Sequence, residues 1–548
     1  MPKLDTLTVG TELSHTTPKL SWLDQMRDSK DTFKILVLTE IRLRARRWTT
    51  LFALFLMVLA CWSMIVDPST GYAMLTINAR RTLYTSSALA IGSATLLGLL
   101  LLFAGFYLIR GRVGEDLRTG IGSLVAATPV SNRLFLISRW CGGVLYFMLL
   151  AYAGMATVMV LQLVRGEPGL EVLVFLQTYT LTFLPLACYV VSIAILFDSV
   201  PWLMGKLGDL VFFILWVMQM SLLGEIVKPG SFGGSALFVF DFTGMMTLIA
   251  NLQTIVTTTN FSVGGSSFDA ALEPLRLPSY AWEMKFVVLR FFSAVVALIP
   301  LFIAFRFFHR YSPDRVKPSQ SRQRRNPVQL LNDLLRPVAY LAKPVMRVSV
   351  FVPGFLGQVI ADVALSLLAS PVLIIAIVVL NLMGVSVPNA GLSGLVAAAV
   401  VCWGVAIGEI STRDFQAGME SMTDVAKGGS VRRFLRQIAT ALALALLLGG
   451  VVLYRSFGQD LLSGEVLLSG FVAGAMLACA AGRITRTSRL FLAFFLIWSY
   501  MASQARAIPW IDLFGFNHVA NQATLLLLWE MAGLAFVAGL AHTIWKSR

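Results

Sequence analysis

Two short polar segments share one pattern of residue types that could bind a partner. Residues 116–124 read DLRTGIGSL and residues 414–422 read DFQAGMESM, so an acid, a glycine and a serine recur at the same spacing. Each segment follows a long apolar run and leads through basic residues into the next one. Acidic and hydroxyl side chains bind through ion pairs and hydrogen bonds. The repetition therefore predicts two docking points for two copies of one partner, in preference to ordinary packing.

Residues that could support catalysis or metal binding are few and scattered. The four histidines lie far apart, and the five cysteines all fall within apolar runs. No phosphate-binding loop of the form G-x-x-x-x-G-K-[ST] is present, because Gly205-Lys206 lacks the upstream glycine and the following hydroxyl residue. We therefore predict no catalytic residue, no metal site and no cofactor in this chain, and no enzyme activity of its own.

The chain around the two polar segments is too apolar for a soluble domain. Hydrophobic residues make up 57% of its 548 residues and charged residues only 13%. This composition predicts an all-α integral membrane protein. A spanning helix needs about 20 apolar residues, and about twelve runs approach that length. They are 49–66, 85–108, 134–163, 172–197, 209–223, 286–307, 367–384, 389–410, 438–454, 463–482, 489–503 and 520–545.

The distribution of basic residues predicts the orientation. With the N-terminus inside, most of the 44 lysines and arginines fall on the cytoplasmic side, while the longest external loop, 224–285, holds only Lys228, Arg276 and Lys285. Positively charged loops stay in the cytoplasm. We expect a multi-pass protein of the cytoplasmic (inner) membrane with both termini in the cytoplasm. The net charge of +15 is then a consequence of topology and of contact with lipid headgroups, and indicates no nucleic-acid partner.

A second pair of matching segments indicates that half of the chain is duplicated. Residues 240–244 read FDFTG and residues 511–515 read IDLFG, and each segment lies on the external side before the last span of its half. Two landmarks in the same order predict two parallel pseudo-repeats of six spans. The predicted divisions are a flexible cytoplasmic N-terminus at 1–31, a first half at 32–307, a basic cytoplasmic linker at 308–350 and a second half at 351–548.

Charged residues near the membrane fall into two groups. Residues 32–48 alternate apolar side chains with Glu40, Arg42, Arg46 and Arg47, which predicts a helix lying in the membrane interface before the first span. A less basic entry helix is predicted at 353–366. Ionisable residues within or near the spans are costly, so each is a functional candidate. They are Arg139, Asp209, Arg290, Asp362, Glu409 and Glu530. Glu530 is among the deeper ones and is predicted to line a pathway or pair across the halves, with a hydrogen bond to a neighbouring helix as the alternative.

Three features together resemble the permease subunits of type-two ABC exporters. They are the basic entry helix with Glu40, the loop ending in AATPVSNR at 126–133, and the large external segment before the sixth span. The resemblance covers most of 32–545 and implies two fused six-span units, with the external segments forming an outer gate. It identifies 113–127, and by the repeat 411–426, as coupling helices that dock on a separate ATPase. The implied docking residues are Glu115, Asp116, Arg118, Thr119, Ser123, Arg413, Asp414, Gln416 and Ser421. The gate candidates are Asp241, Gly244, Asp512 and Gly515.

The same resemblance implies the partners. Two copies of a P-loop ATPase would bind ATP and Mg, and the permease would contact membrane lipid and, in some systems, a periplasmic or accessory subunit. Export of a peptide, a lipid-like or a drug-like substrate is the implied activity. The second half departs from the family pattern: Lys427-Gly428-Gly429-Ser430 replaces the Pro-x-Ser turn, and its entry helix has no run of arginines. The first docking segment is therefore expected to couple more strongly.

Two other classes of membrane protein are alternatives to this function. An ion-coupled carrier of the major facilitator kind also has twelve spans and a basic central loop, but GRVGEDLRTG at 111–120 does not match the spacing of its loop motif. A membrane-bound transferase would require clustered acids or histidines at one face. The carrier remains the alternative function.

Overall fold

The structure is a computed structural model, mostly helical, that describes most of the chain. The described residues are 22–111, 116, 127–128, 130–200, 203–204, 206–226, 236–256, 260–279, 281–308, 340–420, 422, 429–504 and 509–547.

Helices account for nearly all of the described secondary structure. In the first half they are α1 (Trp22–Ala45), α2 (Trp48–Met64), α3 (Ser86–Ile109), α4 (Asn132–Arg165), α5 (Val172–Ser199), α6 (Lys206–Ile226), α7 (Met245–Gln253), α8 (Met284–Val296) and α9 (Ile299–Phe307). After them come α10 (Lys343–Phe351), α11 (Gly354–Ala369), α12 (Val372–Ser386), α13 (Leu392–Ile407), α14 (Arg413–Gln416), α15 (Gly429–Gln459), α16 (Leu461–Thr485), α17 (Arg489–Gln504) and α18 (Gln522–Ser547). Helix α1 begins at Trp22, so it includes the last ten residues of the segment 1–31 that was predicted to be flexible.

Several of these helices are long and apolar enough to cross a membrane, which makes this a helical membrane protein. Seven qualify among the described residues, α8 and α9 counting together, and nine qualify if each of two bent pairs is one span. The bent pairs are α1–α2 and α11–α12, with bends of 66° and 101°. Helices α13 and α17 and the apolar part of α6 are shorter. Each predicted apolar run overlaps at least one of these helices, and 286–307 overlaps both α8 and α9. Both predicted entry helices precede a sharp bend.

A small antiparallel sheet was not predicted from the sequence. Its strands are β1 (Tyr72–Ile77), β2 (Arg80–Arg81) and β3 (Phe261–Ser267), in the order β2-β1-β3. In the pairing of β1 with β3, Tyr72 lies opposite Ser267 and Ile77 opposite Phe261. Five of the six residues of β1 are buried, and Met74 packs against Gly92 of α3. We call this end of the bundle the sheet end, and the opposite end, where α3 finishes and α4 begins, the loop end.

The same kinds of helix pair pack in both halves. In the first half α3 and α5 pack on α4, the α1–α2 pair packs on α4, and α8 and α9 pack on α5. In the second half α13 and α16 pack on α15, the α11–α12 pair packs on α15, and α18 packs on α16. The halves meet through α3 and α17, and Trp216 of α6 contacts Tyr500 of α17 edge to face with ring centroids 4.6 Å apart.

Candidate functional site

Each half contains a tight turn that begins with one of the aspartates singled out in the sequence. A short 3₁₀ helix precedes each turn, Ala236–Phe240 in the first half and Pro509–Ile511 in the second. The turn ends at a glycine with positive φ, 75° at Gly244 and 70° at Gly515. A residue with a Cβ is strained in this left-handed conformation, so each turn requires glycine at its last position.

The two turns have the same backbone hydrogen bonds. In the first, the amides of Asp241, Phe242 and Gly244 donate to Phe238 O, Phe240 O and Asp241 O at 3.1, 2.9 and 3.2 Å. In the second, the amides of Asp512, Leu513 and Gly515 donate to Pro509 O, Ile511 O and Asp512 O at 3.2, 2.9 and 3.2 Å. The D-x-x-G pattern at 241–244 and 512–515 therefore corresponds to one backbone conformation that occurs in both halves.

A side chain on the preceding helix binds each turn at the equivalent atom. Gln219 of α6 donates from Nε2 to Phe240 O at 2.9 Å. Trp498 of α17 donates from Nε1 to Ile511 O at 2.9 Å. In both cases the acceptor is the carbonyl of the residue just before the aspartate, so each turn is attached to the helix before it.

Both turns lie deep within the bundle. A methyl group added to Gly98, midway along α3, would lie 3.5 Å from Thr243 O, and one added to Gly470 of α16 would lie only 2.6 Å from Leu513 O. Asp241 and Asp512 are fully buried. Irregular backbone at this depth of a membrane protein is tolerated where protein covers it, which is the situation of both turns.

The carboxylates of the two aspartates make different contacts. Oδ1 of Asp241 accepts from Thr243 Oγ1 at 2.8 Å and Gly244 N at 2.9 Å, and Oδ2 accepts from Thr247 N at 2.9 Å and Thr247 Oγ1 at 3.0 Å. It therefore caps the N-terminus of α7. Asp512 accepts through Oδ2 only, among the residues described, from Asn517 N at 3.1 Å and Val519 N at 3.4 Å. Burial raises the pKa of Asp512.

Arg290 of α8 fastens the first turn to α5 beside a proline of that helix. Pro185 lies inside α5 and has no N–H, so it cannot donate to Leu181 O four residues earlier. Arg290 Nε donates to that carbonyl at 2.9 Å, and Nη2 donates to Thr182 O at 3.1 Å and Phe242 O at 3.2 Å. Nη1 donates to Asp241 O. The sequence of α18 contains no arginine that could do the same for the second turn.

At the loop end, the predicted entry helix is held by a buried ion pair. Arg44 donates to Oε1 of Glu40 from Nε at 3.0 Å and from Nη2 at 2.7 Å, and both residues are buried. Arg44 Nη1 also donates to Ile109 O, at the C-terminus of α3, at 3.2 Å. The other predicted residues of this helix, Arg42 and Arg46, are exposed, and Arg47 is half-buried.

The aspartate of the first repeated loop is directed into the chain. Asp116 is 3% exposed and forms an ion pair with Arg139 of α4. Its carboxylate attaches to the start of the next long helix, and Ser131 caps that helix by accepting from Leu134 N at 3.2 Å. Glu115, Arg118, Thr119 and Ser123 lie outside the described residues, as does most of 113–127.

The aspartate of the second repeated loop has an equivalent but looser partner. Asp414 Oδ2 lies 3.7 Å from Arg433 Nη1, in the second turn of α15. Arg413 donates to Ser366 Oγ of α11 at 2.9 Å, and Gln416 is exposed and donates to Thr412 Oγ1 at 3.3 Å. Ser421 lies outside the described residues. Asp116 and Asp414, which begin the two repeated segments, are therefore each joined to an arginine of the next long helix.

Three residues at the loop end were not identified from the sequence. Arg44 was detectable from its i, i+4 spacing to Glu40. Arg110 forms an ion pair with Asp209, and Asp198 accepts from Gly111 N at 2.9 and 3.1 Å. The last two connect the end of α3 to α6 and α5, contacts that no local pattern in the sequence reveals.

The structure does not bring Glu530 together with the other candidates. Its side chain is exposed on α18, and no hydrogen bond or ion pair joins it to another residue in the described ranges. Comparison with known proteins adds no identity: no family model, no curated protein and no solved structure matches the chain.

Proposed function

We propose that this chain is the permease subunit of an ABC exporter, which moves a peptide, a lipid-like or a drug-like substrate across the cytoplasmic membrane. Two separate ATPase subunits, which bind ATP and Mg, supply the energy by docking on the loops at 113–127 and 411–426. The observation that carries the proposal is that the aspartate that begins each repeated segment, Asp116 or Asp414, pairs with an arginine of the next long helix.

These ion pairs support a mechanical role for the loops. Removing one partner of a buried pair costs about 3–5 kcal/mol, so Asp116 and Arg139 hold the loop and α4 together as one unit. A subunit that pulls on the first loop then moves α4 and the helices packed on it. Asp414 and Arg433 are 3.7 Å apart and Asp414 is 28% exposed, so the second connection is weaker. This difference supports the expectation that the first loop couples more strongly.

The two turns around Asp241 and Asp512 support a duplicated architecture. Identical backbone hydrogen bonds, a donor from the preceding helix and a similar set of helix pairs are what two parallel repeats of six spans would give. In this proposal the turns around Asp241 and Gly244, and around Asp512 and Gly515, form the outer gate. The loop end then faces the cytoplasm, in keeping with the exposed Arg42 and Arg46 there.

The docking surface can be tested at exposed apolar residues of the second loop. Met419 and Met422 are 48% and 70% exposed, so their replacement by aspartate removes a contact surface without opening the core. We expect the full chain to co-purify with a P-loop ATPase encoded beside it, and the double variant M419D/M422D to lose that partner. The variant M346D is the control, because Met346 is exposed on α10 and belongs to neither loop.

The test also separates the two classes of transporter. Unchanged ATPase binding by M419D/M422D would exclude this loop as a docking site. Transport by the purified chain in vesicles with an ion gradient and no ATPase would refute the proposal and support the major facilitator alternative.

A further inference from the structure

The last span of each half exposes a wide face, and the two faces differ in one respect. In α8 and α9 no charged side chain between Phe286 and Phe305 is exposed, since Arg290 is buried. The exposed residues there are apolar: Val288, Phe291, Phe292, Val295, Ile299, Phe302 and Ile303. This is the surface expected of a helix that faces lipid. In α18 the corresponding face carries Leu526, Trp529, Leu534 and Val537, together with the exposed carboxylate of Glu530.

Glu530 lies well inside the apolar part of α18. It is eight residues from Gln522, the first residue of the helix, which corresponds to about 12 Å along the axis. It is the only charged residue of the sequence between Leu525 and His542. A carboxylate facing hydrocarbon is unfavourable unless it finds a partner, and none of the described residues supplies one. The partner that this position requires lies outside the chain as described.

The surface beside Glu530 permits close approach of another helix. Gly533 is exposed one turn further along, and nothing lies within 4 Å of a methyl group added to it. Ala541 is exposed on the same face two turns later. Small residues let helix backbones approach closely within a membrane, and the exposed Leu534 and Val537 provide apolar contacts on either side of them.

We propose that this face of α18 binds a transmembrane helix of a second protein, and that this helix presents a lysine or arginine to Glu530. Charge complementarity selects this partner. A second copy of the chain, packed symmetrically through the same face, would place Glu530 against Glu530. The one lysine of α18, Lys546, lies at its far end and already binds Glu420 at 2.6 Å. The inference concerns a lateral membrane partner and does not depend on ATPase docking.

Site-specific photocross-linking in the native membrane tests the inference. A benzoylphenylalanine at position 534 lies beside Glu530, and one at position 302 of α9 is the control, since Leu534 and Phe302 are 73% and 65% exposed. We expect an adduct with a second protein from position 534 only. The cross-linked transmembrane segment of that second protein should carry a lysine or arginine at the depth of Glu530. E530Q should lower the adduct yield about tenfold, with thermal unfolding unchanged.

A charge exchange then distinguishes the specific partner from an adventitious neighbour. E530K should abolish the adduct, and replacement of the partner's basic residue by glutamate should restore it. The inference is overturned if E530Q leaves the yield unchanged, or if the cross-linked segment has no basic residue. Adducts with lipid only, or with a second copy of this chain, would overturn it equally.

Discussion

Replacement of the two turn aspartates by asparagine should have unequal effects, although the turns have the same backbone conformation. In D241N, one carboxylate oxygen becomes an NH₂ group that can no longer accept. Whichever oxygen is replaced, one backbone N–H loses its acceptor, Gly244 N at Oδ1 or Thr247 N at Oδ2, whereas the threonine hydroxyl at that oxygen can rotate and accept from the new NH₂ group. A hydrogen bond to a charged group contributes about 1.5–3 kcal/mol, so we expect a loss of about 1.5–3 kcal/mol.

D512N is the matched control. The amide nitrogen can occupy the position of Oδ1, which accepts no hydrogen bond from the described residues, while the remaining oxygen keeps the bonds from Asn517 N and Val519 N. The substitution also removes a buried charge, whose cost is evident in the raised pKa of Asp512. We expect its free energy of unfolding to change by less than about 1 kcal/mol.

The free energies can be compared in detergent micelles by titration with a denaturing detergent. The fluorescence of the 12 tryptophans reports unfolding, and D241N should be less stable than D512N by at least about 0.5 kcal/mol. Equal losses, or a larger loss in D512N, would show that the carboxylate contacts do not determine the stability of the turns.

Three further predictions concern the buried charged groups. R44M should cost about 3–5 kcal/mol, because it removes the ion pair that Arg44 forms with the buried Glu40 carboxylate; E40Q/R44M should be more stable than R44M in the same titration. P185A returns an N–H to α5 that can donate to Leu181 O, so the destabilisation by R290M should be smaller in a P185A background, and equal destabilisation would refute the link between Arg290 and the carbonyl that Pro185 leaves free. Because the folded-state pKa of Asp512 is raised above its ordinary value of 3.8, the native state binds more protons between those two values. The stability of the wild type relative to D512N should therefore increase as pH falls through the folded pKa, and pH-independent stability would contradict it.

The apolar helices were predictable because each is encoded by a continuous local run. The predicted run 85–108 became Ser86–Ile109, and 172–197 became Val172–Ser199. The turn sequence around Asp241 and Asp512 was also visible, because a glycine with positive φ fixes its position in the pattern. Hydrophobicity and special backbone conformations are local properties, and a single sequence displays them.

Long-range contacts were not predictable in the same way. Strand β1 is too short and too apolar to distinguish from the end of a span, and its partner β3 follows only after α3 to α7. The hydrogen bond from Arg44 to Ile109 O and the insertion of Arg290 beside Pro185 depend on how helices meet. The sequence indicated that the charge of Arg290 is unfavourable within the membrane. It did not indicate that backbone carbonyls would accept the hydrogen bonds of the guanidinium.

The pairing of β1 with β3 has a consequence for the order in which the protein is assembled. Strand β1 leaves the ribosome early, yet the strand that covers it is synthesised only after α3 to α7. Until then the five residues of β1 that are buried in the finished protein can be covered by α3, and β1 can pair with the short strand β2, but its other neighbour, β3, is missing. Pairing between distant segments forms late and leaves strand edges open to misassembly. The sheet end of the first half is therefore completed only when the segment before α8 has been inserted, and a nascent chain stopped earlier should be a target for quality-control proteases.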